Sequence, residues 1–117
     1  MTARAMTLAL AAVLIAGPPA RAAKGGPPVI AITARMFEFS PNRITLHSGV
    51  PVVLELRSLD HKHGFSIPDL HIRVDIPPGK TTRIRVVPTR VGTFSIHCDV
   101  FCGEGHDEMT AELVVLP

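Results

Sequence analysis

The chain has 117 residues, of which 46% are hydrophobic, with 12 lysines and arginines against 10 aspartates and glutamates. This length fits one small domain. Without Arg4 and Arg21, which belong to the N-terminal segment described next, ten basic and ten acidic residues remain. A domain so close to neutrality lacks the basic surface that nucleic acid binding requires, so we expect no nucleic acid partner.

Residues 1–22 have the pattern of an export signal. Arg4 precedes an apolar run at 5–16, and Ala20-Arg-Ala22 resembles a signal cleavage site. The run is shorter than the roughly twenty residues of a membrane-spanning helix. We therefore expect a periplasmic or otherwise exported protein, with an uncleaved membrane anchor as the alternative.

Short β-type segments separated by turn residues make up the rest of the chain. Residues 23–28 are interpreted as a flexible linker and 29–117 as one domain. Alternation of apolar and polar residues, or enrichment in β-formers, predicts strands at 29–35, 43–47, 51–57, 63–67, 70–75, 81–87, 93–98 and 109–116. Their regular spacing, with proline and glycine between them, indicates an all-β sandwich or barrel.

A loop before the last predicted strand carries the chemistry of the chain. Cys98, Cys102, His106 and Met109 fall within twelve residues, and the two cysteines are the only ones present. Sulfur and imidazole ligands select copper or zinc over magnesium or calcium. The spacing of four also fits one face of a helix, but glycines at 103 and 105 favour a wrapping loop.

Four interpretations of this loop are open from the residues alone. A Cys98–Cys102 disulfide is the default in an exported protein, but it leaves His106 and Met109 unexplained. A zinc site is chemically reasonable, yet it does not use the methionine. Copper uses all four residues, either in a mononuclear blue site with one spare cysteine or in a dinuclear site bridged by both thiolates. The second cysteine favours the dinuclear form.

Both copper interpretations need a second histidine from elsewhere in the chain. His97 neighbours Cys98 on a strand and should point to the opposite face. His47 and His71 are interpreted as surface residues. Spacing alone does not distinguish His61 from His63.

Several motifs, in order along residues 29–117, resemble the soluble copper domain of cytochrome c oxidase subunit II. They are Asp60-x-x-His63-Gly-Phe65, Pro77-Pro-Gly79, Gly92-x-Phe94 and Cys98-x3-Cys102-Gly-x-Gly-His106-x2-Met109. The same cupredoxin module occurs in nitrous oxide reductase. The resemblance implies an all-β cupredoxin fold, a Greek-key β-sandwich or barrel.

The resemblance also implies a metal centre and its ligands. The centre would be of the CuA type, with two copper ions. The ligands would be His63, the bridging thiolates of Cys98 and Cys102, His106, the Met109 thioether and the backbone carbonyl of Val100. In oxidase subunits a glutamate that helps bind magnesium stands at the position of Val100, so the resemblance does not extend to that magnesium contact.

The implied function is transfer of single electrons, not catalysis by the domain alone. The expected partner is a redox protein such as a cytochrome c. The domain would also serve a membrane oxidase as its electron-entry component. No small-molecule substrate is expected. Four acidic residues between 99 and 108 form either a solvated loop rim or a surface that attracts a basic partner. A copper chaperone or storage protein is the alternative function.

Overall fold

The computed structural model describes residues 26–101 and 103–117, and the regular structure in this part of the chain is almost entirely β-strand. Its strands are β1 (Val29–Arg35), β2 (Glu38–Ser40), β3 (Arg43–His47), β4 (Val52–Ser58), β5 (His63–Ile67), β6 (Ile72–Ile76), β7 (Thr81–Val86), β8 (Gly92–His97) and β9 (Thr110–Leu116). Two single-turn 3-10 helices, Pro68–Leu70 and His106–Glu108, complete the regular structure. The prediction of an all-β domain is confirmed.

The strands form two sheets. One has the order β2-β1-β4-β7 and the other the order β3-β9-β8-β5-β6. Strands β1 and β4 pair in parallel, as do β3 and β9, whereas the remaining pairs are antiparallel. Strand β6 is an edge strand, and all of its residues except Ile76 are exposed or half-buried.

The core lies between the two sheets and is built from apolar residues at every second position of the strands. In β9, for example, Ala111, Leu113 and Val115 are buried while their neighbours are exposed or half-buried. Phe39 and Phe65, one from each sheet, meet edge to face with ring centroids 5.9 Å apart. Packing of this kind holds the ends of the strands in fixed positions.

Two differences from the predicted strands have local causes. Strand β2 was not predicted, because its three residues are too few to show alternation. The strand predicted at 70–75 begins at Ile72, since Pro68 opens a 3-10 turn that ends at His71 with a left-handed φ of 55°. The other predicted strands agree with the observed ones to within one residue.

The same end of the sandwich gathers the predicted ligands that the structure describes. His63 is the first residue of β5, Cys98 follows the last residue of β8 and Met109 precedes β9. Because β8 pairs with both β5 and β9, these three positions lie at neighbouring strand ends. None of the helices within residues 26–101 and 103–117 has the length and apolarity to cross a bilayer.

Candidate metal centre

His63 is the only buried polar or charged residue among the described residues, with an exposed fraction of 0%. Its Nε2 lies 2.5 Å from Oδ1 of Asp60. An ionised carboxylate only accepts hydrogen bonds, so Nε2 carries a proton, and Nδ1 is the nitrogen that can offer a lone pair to a metal. Nδ1 faces the sulfur of Cys98 at 3.8 Å. The ring is therefore oriented to offer Nδ1 as a ligand beside a thiol.

Asp60 is held as a carboxylate by the groups around it. Burial alone raises the pKa of Asp60, but hydrogen bonds from the Met36 amide, the His63 ring and the His61 amide outweigh this and lower the pKa to about 2. The Met36 amide donates to Oδ2 at 2.7 Å. Asp60 thus ties the β1–β2 turn to the imidazole. A carboxylate behind a histidine is the usual outer support of a metal ligand.

Cys98 is buried at the mouth of the loop. Its backbone amide donates to the Met109 carbonyl at 3.2 Å, which extends the β8–β9 pairing by one residue. Its sulfur accepts a hydrogen bond from the Gly64 amide at 3.4 Å and lies 3.3 Å from the Val100 carbonyl oxygen. Met109 has an exposed fraction of 1%. The sulfur of Cys98, the Val100 carbonyl and the His63 ring therefore converge on one small region, with buried Met109 at its border.

These positions are compatible with a metal ion between His63 and Cys98. Metal–nitrogen and metal–thiolate bonds of about 2.1 and 2.3 Å require the two ligand atoms to lie no more than about 4.4 Å apart. The observed Nδ1–Sγ distance is 3.8 Å. A soft thiolate with imidazole, a thioether and a carbonyl is a donor set that suits copper.

Two predicted ligands fall outside what the structure describes. Cys102 lies outside the described residues, as does the side chain of His106, whose backbone begins the 3-10 helix His106–Glu108. Within the described part, which omits these two side chains, no three histidine, cysteine or carboxylate side chains form a metal cluster. The ligand set named from the sequence therefore stays a prediction.

The remaining histidines lie at the surface. His47, His61, His71 and His97 are exposed. His97 and Cys98 point to opposite faces, as strand alternation predicts. His61 contributes its backbone, because its amide donates to Asp60 and its carbonyl accepts from the Ser58 hydroxyl.

Sequence reasoning missed an ion pair beside Cys98. Arg73 on β6 donates to both carboxylate oxygens of Asp99, from Nε at 2.8 Å and from Nη2 at 3.0 Å. Arg73 also forms an ion pair with Asp75 at 2.6 Å. Hydrogen bonds from Arg73 and Lys62 lower the pKa of Asp75, and those to Asp99 and Asp75 raise the pKa of Arg73. The carboxylate of Asp99 is therefore paired with an arginine of strand β6.

Sequence reasoning also missed the contact between the loop and the β1–β2 turn. A Cβ atom on Gly103 or Gly105 would lie within 3.3 or 3.1 Å of the Phe37 ring, and both glycines have positive φ angles of 134° and 101°. Phe37 therefore packs against the backbone of the loop, where only glycine fits. No signal in the sequence links residue 37 to residues 103 and 105.

A comparison with protein families agrees with this architecture. The sequence model of the Cupredoxin-like domain matches residues 5–115. The chain belongs to the cupredoxin-like family. Its two-sheet, all-β structure is the cupredoxin fold that the resemblance implied.

The cupredoxin domain is similar to cytochrome c oxidase subunit 2 proteins. One from Thermus thermophilus is 33% identical over 84 residues, which cover 72% of this chain and 62% of that protein. The chain thus spans less than two thirds of the length of this relative. The domain is therefore related to the copper domain of cytochrome c oxidase subunit II.

Solved structures give the same relationship. A chain of a heme-copper terminal oxidase dimer superposes with a TM-score of 0.69 at 27% identity, covering 80% of this chain and 67% of the other. The periplasmic domain of cytochrome oxidase subunit II from Bradyrhizobium japonicum also reaches a TM-score of 0.69. That match covers 76% of this chain and 83% of the other, and at 16% identity it shows the fold alone.

Proposed function

We propose that this cupredoxin domain transfers single electrons through a dinuclear copper centre of the CuA type. The observation that carries the proposal is the 3.8 Å distance between Nδ1 of His63 and the sulfur of Cys98, both buried at the end of the sandwich that holds the loop. Two copper ions bound there would accept and release one electron at a time.

The proposed ligands divide into strong and weak donors. Cys98 and Cys102 would supply the thiolates, and His63 and His106 the imidazoles. Met109 would supply a thioether and Val100 a backbone carbonyl. The second cysteine, four residues after the first, favours two ions over one, because a mononuclear blue site needs a single thiolate.

The domain's own residues would limit movement when an electron arrives. Asp60 holds the His63 ring through Nε2, and the Gly64 amide bonds the sulfur of Cys98. The side chains of His63 and Cys98 are both buried. Ligands held in this way rearrange little when the charge at the centre changes, which favours rapid transfer.

Copper binding by the reduced protein tests the proposal. We expect two copper ions per chain and an electron spin spectrum in which one unpaired electron is shared by both nuclei. His63→Gly should abolish this spectrum, whereas His61→Gly, the matched change at an exposed histidine, should preserve it.

A single blue copper would support the mononuclear site instead. Colourless, readily lost copper(I) would support a copper chaperone or storage protein, and a disulfide that persists in the reduced, copper-loaded protein would refute every copper function.

The proposal includes export and a redox partner. We propose residues 1–22 as the export signal, 23–28 as a linker and 29–117 as the domain, so that the protein acts in the periplasm. Mass spectrometry of the protein recovered from the periplasm should give a chain that begins at Ala23. An intact chain that stays with washed membranes would indicate the uncleaved anchor instead.

The proposed partner is a basic redox protein such as a cytochrome c, with a membrane oxidase as the assembly that the domain serves. Glu104, Asp107 and Glu108 are exposed on the loop. The apolar side chains Phe101, Met36 and Phe37 are exposed by 78%, 43% and 37% on the same loop and the turn packed against it. An apolar contact area with an acidic rim suits a transient complex with a basic protein.

A further inference from the structure

Asp99 occupies a special place in the loop, between two proposed copper donors. The thiolate of Cys98 precedes it and the carbonyl of Val100 follows it. Any rotation of the Asp99 backbone would therefore move one donor relative to the other. Their present separation is 3.3 Å between sulfur and oxygen, and it depends in part on the backbone conformation of Asp99.

The side chain of Asp99 is fixed from two directions. Arg73 binds both of its oxygens in the planar, two-point geometry that a guanidinium offers to a carboxylate. On the other side the carboxylate lies against Gly64, where a Cβ atom would be only 1.9 Å from Oδ1. The amide of that same glycine donates to the sulfur of Cys98. The carboxylate, the glycine and the thiol thus form one packed unit.

Arg73 is itself anchored to the sheet. It lies on β6, opposite Ser66 of β5. Its Nη1 forms the ion pair with Asp75, which Lys62 also contacts at 3.3 Å. All three nitrogens of the guanidinium are therefore engaged, and its position relative to Gly64 is set by the pairing of β5 with β6.

We propose that Arg73 is a positioning residue of the copper centre, which acts as a latch through Asp99. The two-point ion pair holds Asp99 over Gly64 and thereby fixes the Cys98 sulfur and the Val100 carbonyl. This inference rests on the proposed copper function. The role of Arg73 differs from that of a charge placed near the centre, because the latch requires both Arg73 and Asp99 in their two-point geometry.

The two roles predict opposite patterns for the reduction potential. If the residues act only as charges, Arg73→Gln lowers the potential and Asp99→Asn raises it. If they form a latch, both substitutions loosen the same segment and shift the potential and the copper spectrum in the same direction. The double variant then resembles either single variant, because the second change removes nothing more.

The test uses the full chain carrying Arg73→Gln, Asp99→Asn, both together, or Arg73→Lys. Arg83→Gln is the matched control, since it breaks another exposed arginine–carboxylate pair, with Glu55 at 3.2 Å on the other sheet. Three quantities are measured: the reduction potential, the rate of copper(I) loss to a chelator, and the rate at which iodoacetamide modifies Cys98 in the reduced, metal-free protein, mapped by mass spectrometry.

We expect both single variants and the double variant to lose copper about fivefold faster and to expose Cys98 to a similar extent, because both partners are partly exposed. Arg73→Lys should fall between them and the wild type, since it keeps the charge but loses the fork. Arg83→Gln should match the wild type. Potential shifts of opposite sign, additive effects in the double variant, or unchanged alkylation of Cys98 would refute the latch. Because alkylation is read without copper, its failure is distinguishable from a failure of the wild-type protein to bind two copper ions.

Discussion

At the scale of single residues, Asp60 links the orientation of the His63 ring to the stability of the domain. The carboxylate accepts hydrogen bonds from the His63 ring and from two backbone amides. These contacts require the ionised form, as the lowered pKa of Asp60 reflects. The same contacts that orient the imidazole therefore also stabilise the fold, and they do so only where Asp60 is charged.

The stability of the metal-free protein should depend on pH through Asp60. Its pKa is about 2 in the folded protein against an ordinary value of 3.8, so the unfolded chain takes up a proton first as the pH falls. The contribution is complete above about pH 4 and is lost as the pH approaches 2. We expect about 1–2 kcal/mol of unfolding free energy to disappear over this interval, measured by urea unfolding. In Asp60→Asn this loss should be absent, whereas the exposed control Asp69→Asn should retain it.

Gly64 should not tolerate a side chain. In Gly64→Ala the new Cβ would lie 1.9 Å from Oδ1 of Asp99 and 3.2 Å from its amide nitrogen, so the Asp99 carboxylate must leave its place beside Arg73 and the backbone must shift slightly. We expect a loss of about 1–3 kcal/mol in the unfolding free energy, measured by urea unfolding, as in other overpacked cores. Adding Asp99→Ala to this variant should restore part of the loss. An unchanged urea midpoint in Gly64→Ala alone would contradict the close contact.

At the scale of elements, strand β9 joins β3 to the rest of the second sheet. It pairs with β3 on one side and β8 on the other, and its first residue follows Met109. Leu113, at the centre of β9, is fully buried. The position of the Met109 side chain therefore depends on a strand that is fixed from both sides.

Leu113→Ala should destabilise the domain by about 2–5 kcal/mol, because it leaves a cavity in the middle of the core. The measurement is the free energy of urea unfolding. Val114→Ala, the neighbouring half-buried position of the same strand, is the matched control and should cost much less. Copper stoichiometry at temperatures well below the transition should be unchanged in both, since neither side chain is a proposed ligand.

The strands of this domain could be predicted from the sequence. The contacts that hold the loop at 98–109 in place could not. Alternation in segments such as Arg43–His47 and Gly92–His97 reports burial directly, because successive strand residues face opposite sides. The Asp99–Arg73 pair joins residues 26 positions apart, and Phe37 meets Gly103 and Gly105 from the other sheet. Contacts of this kind depend on tertiary packing, which leaves no local periodicity. The preference for His63 over His61 came from a family resemblance for the same reason.

At the scale of the whole molecule, charge is distributed unevenly around the end of the sandwich that carries the loop at 99–108. Four acidic residues lie in the loop at 99–108, but Arg73 compensates Asp99. The structure therefore narrows the acidic surface predicted from the sequence to Glu104, Asp107 and Glu108, which are exposed. A basic partner would be attracted by these three side chains.

Neutralising these three residues should slow association with a basic cytochrome c. We expect Glu104→Gln/Asp107→Asn/Glu108→Gln to lower the second-order rate of electron transfer about tenfold at low ionic strength. The difference should vanish in concentrated salt, where charges are screened. Stopped-flow mixing measures both conditions. A variant with the same number of charges removed elsewhere, Glu55→Gln/Asp69→Asn/Glu112→Gln, should react like the wild type; equal slowing in both variants would refute local attraction.

The parallel pairing of β3 with β9 has a consequence for how the protein is made. Arg43 pairs with Glu112, far along the chain, so the second sheet cannot close before β9 has been synthesised. Pairings between residues so distant in sequence also form slowly. The proposed ligand set depends on that closure, because Met109 comes to the same end of the sheet as His63 and Cys98 only when β9 pairs with β8. We therefore expect copper to bind only after β9 has paired, and the cysteines to be without metal until then.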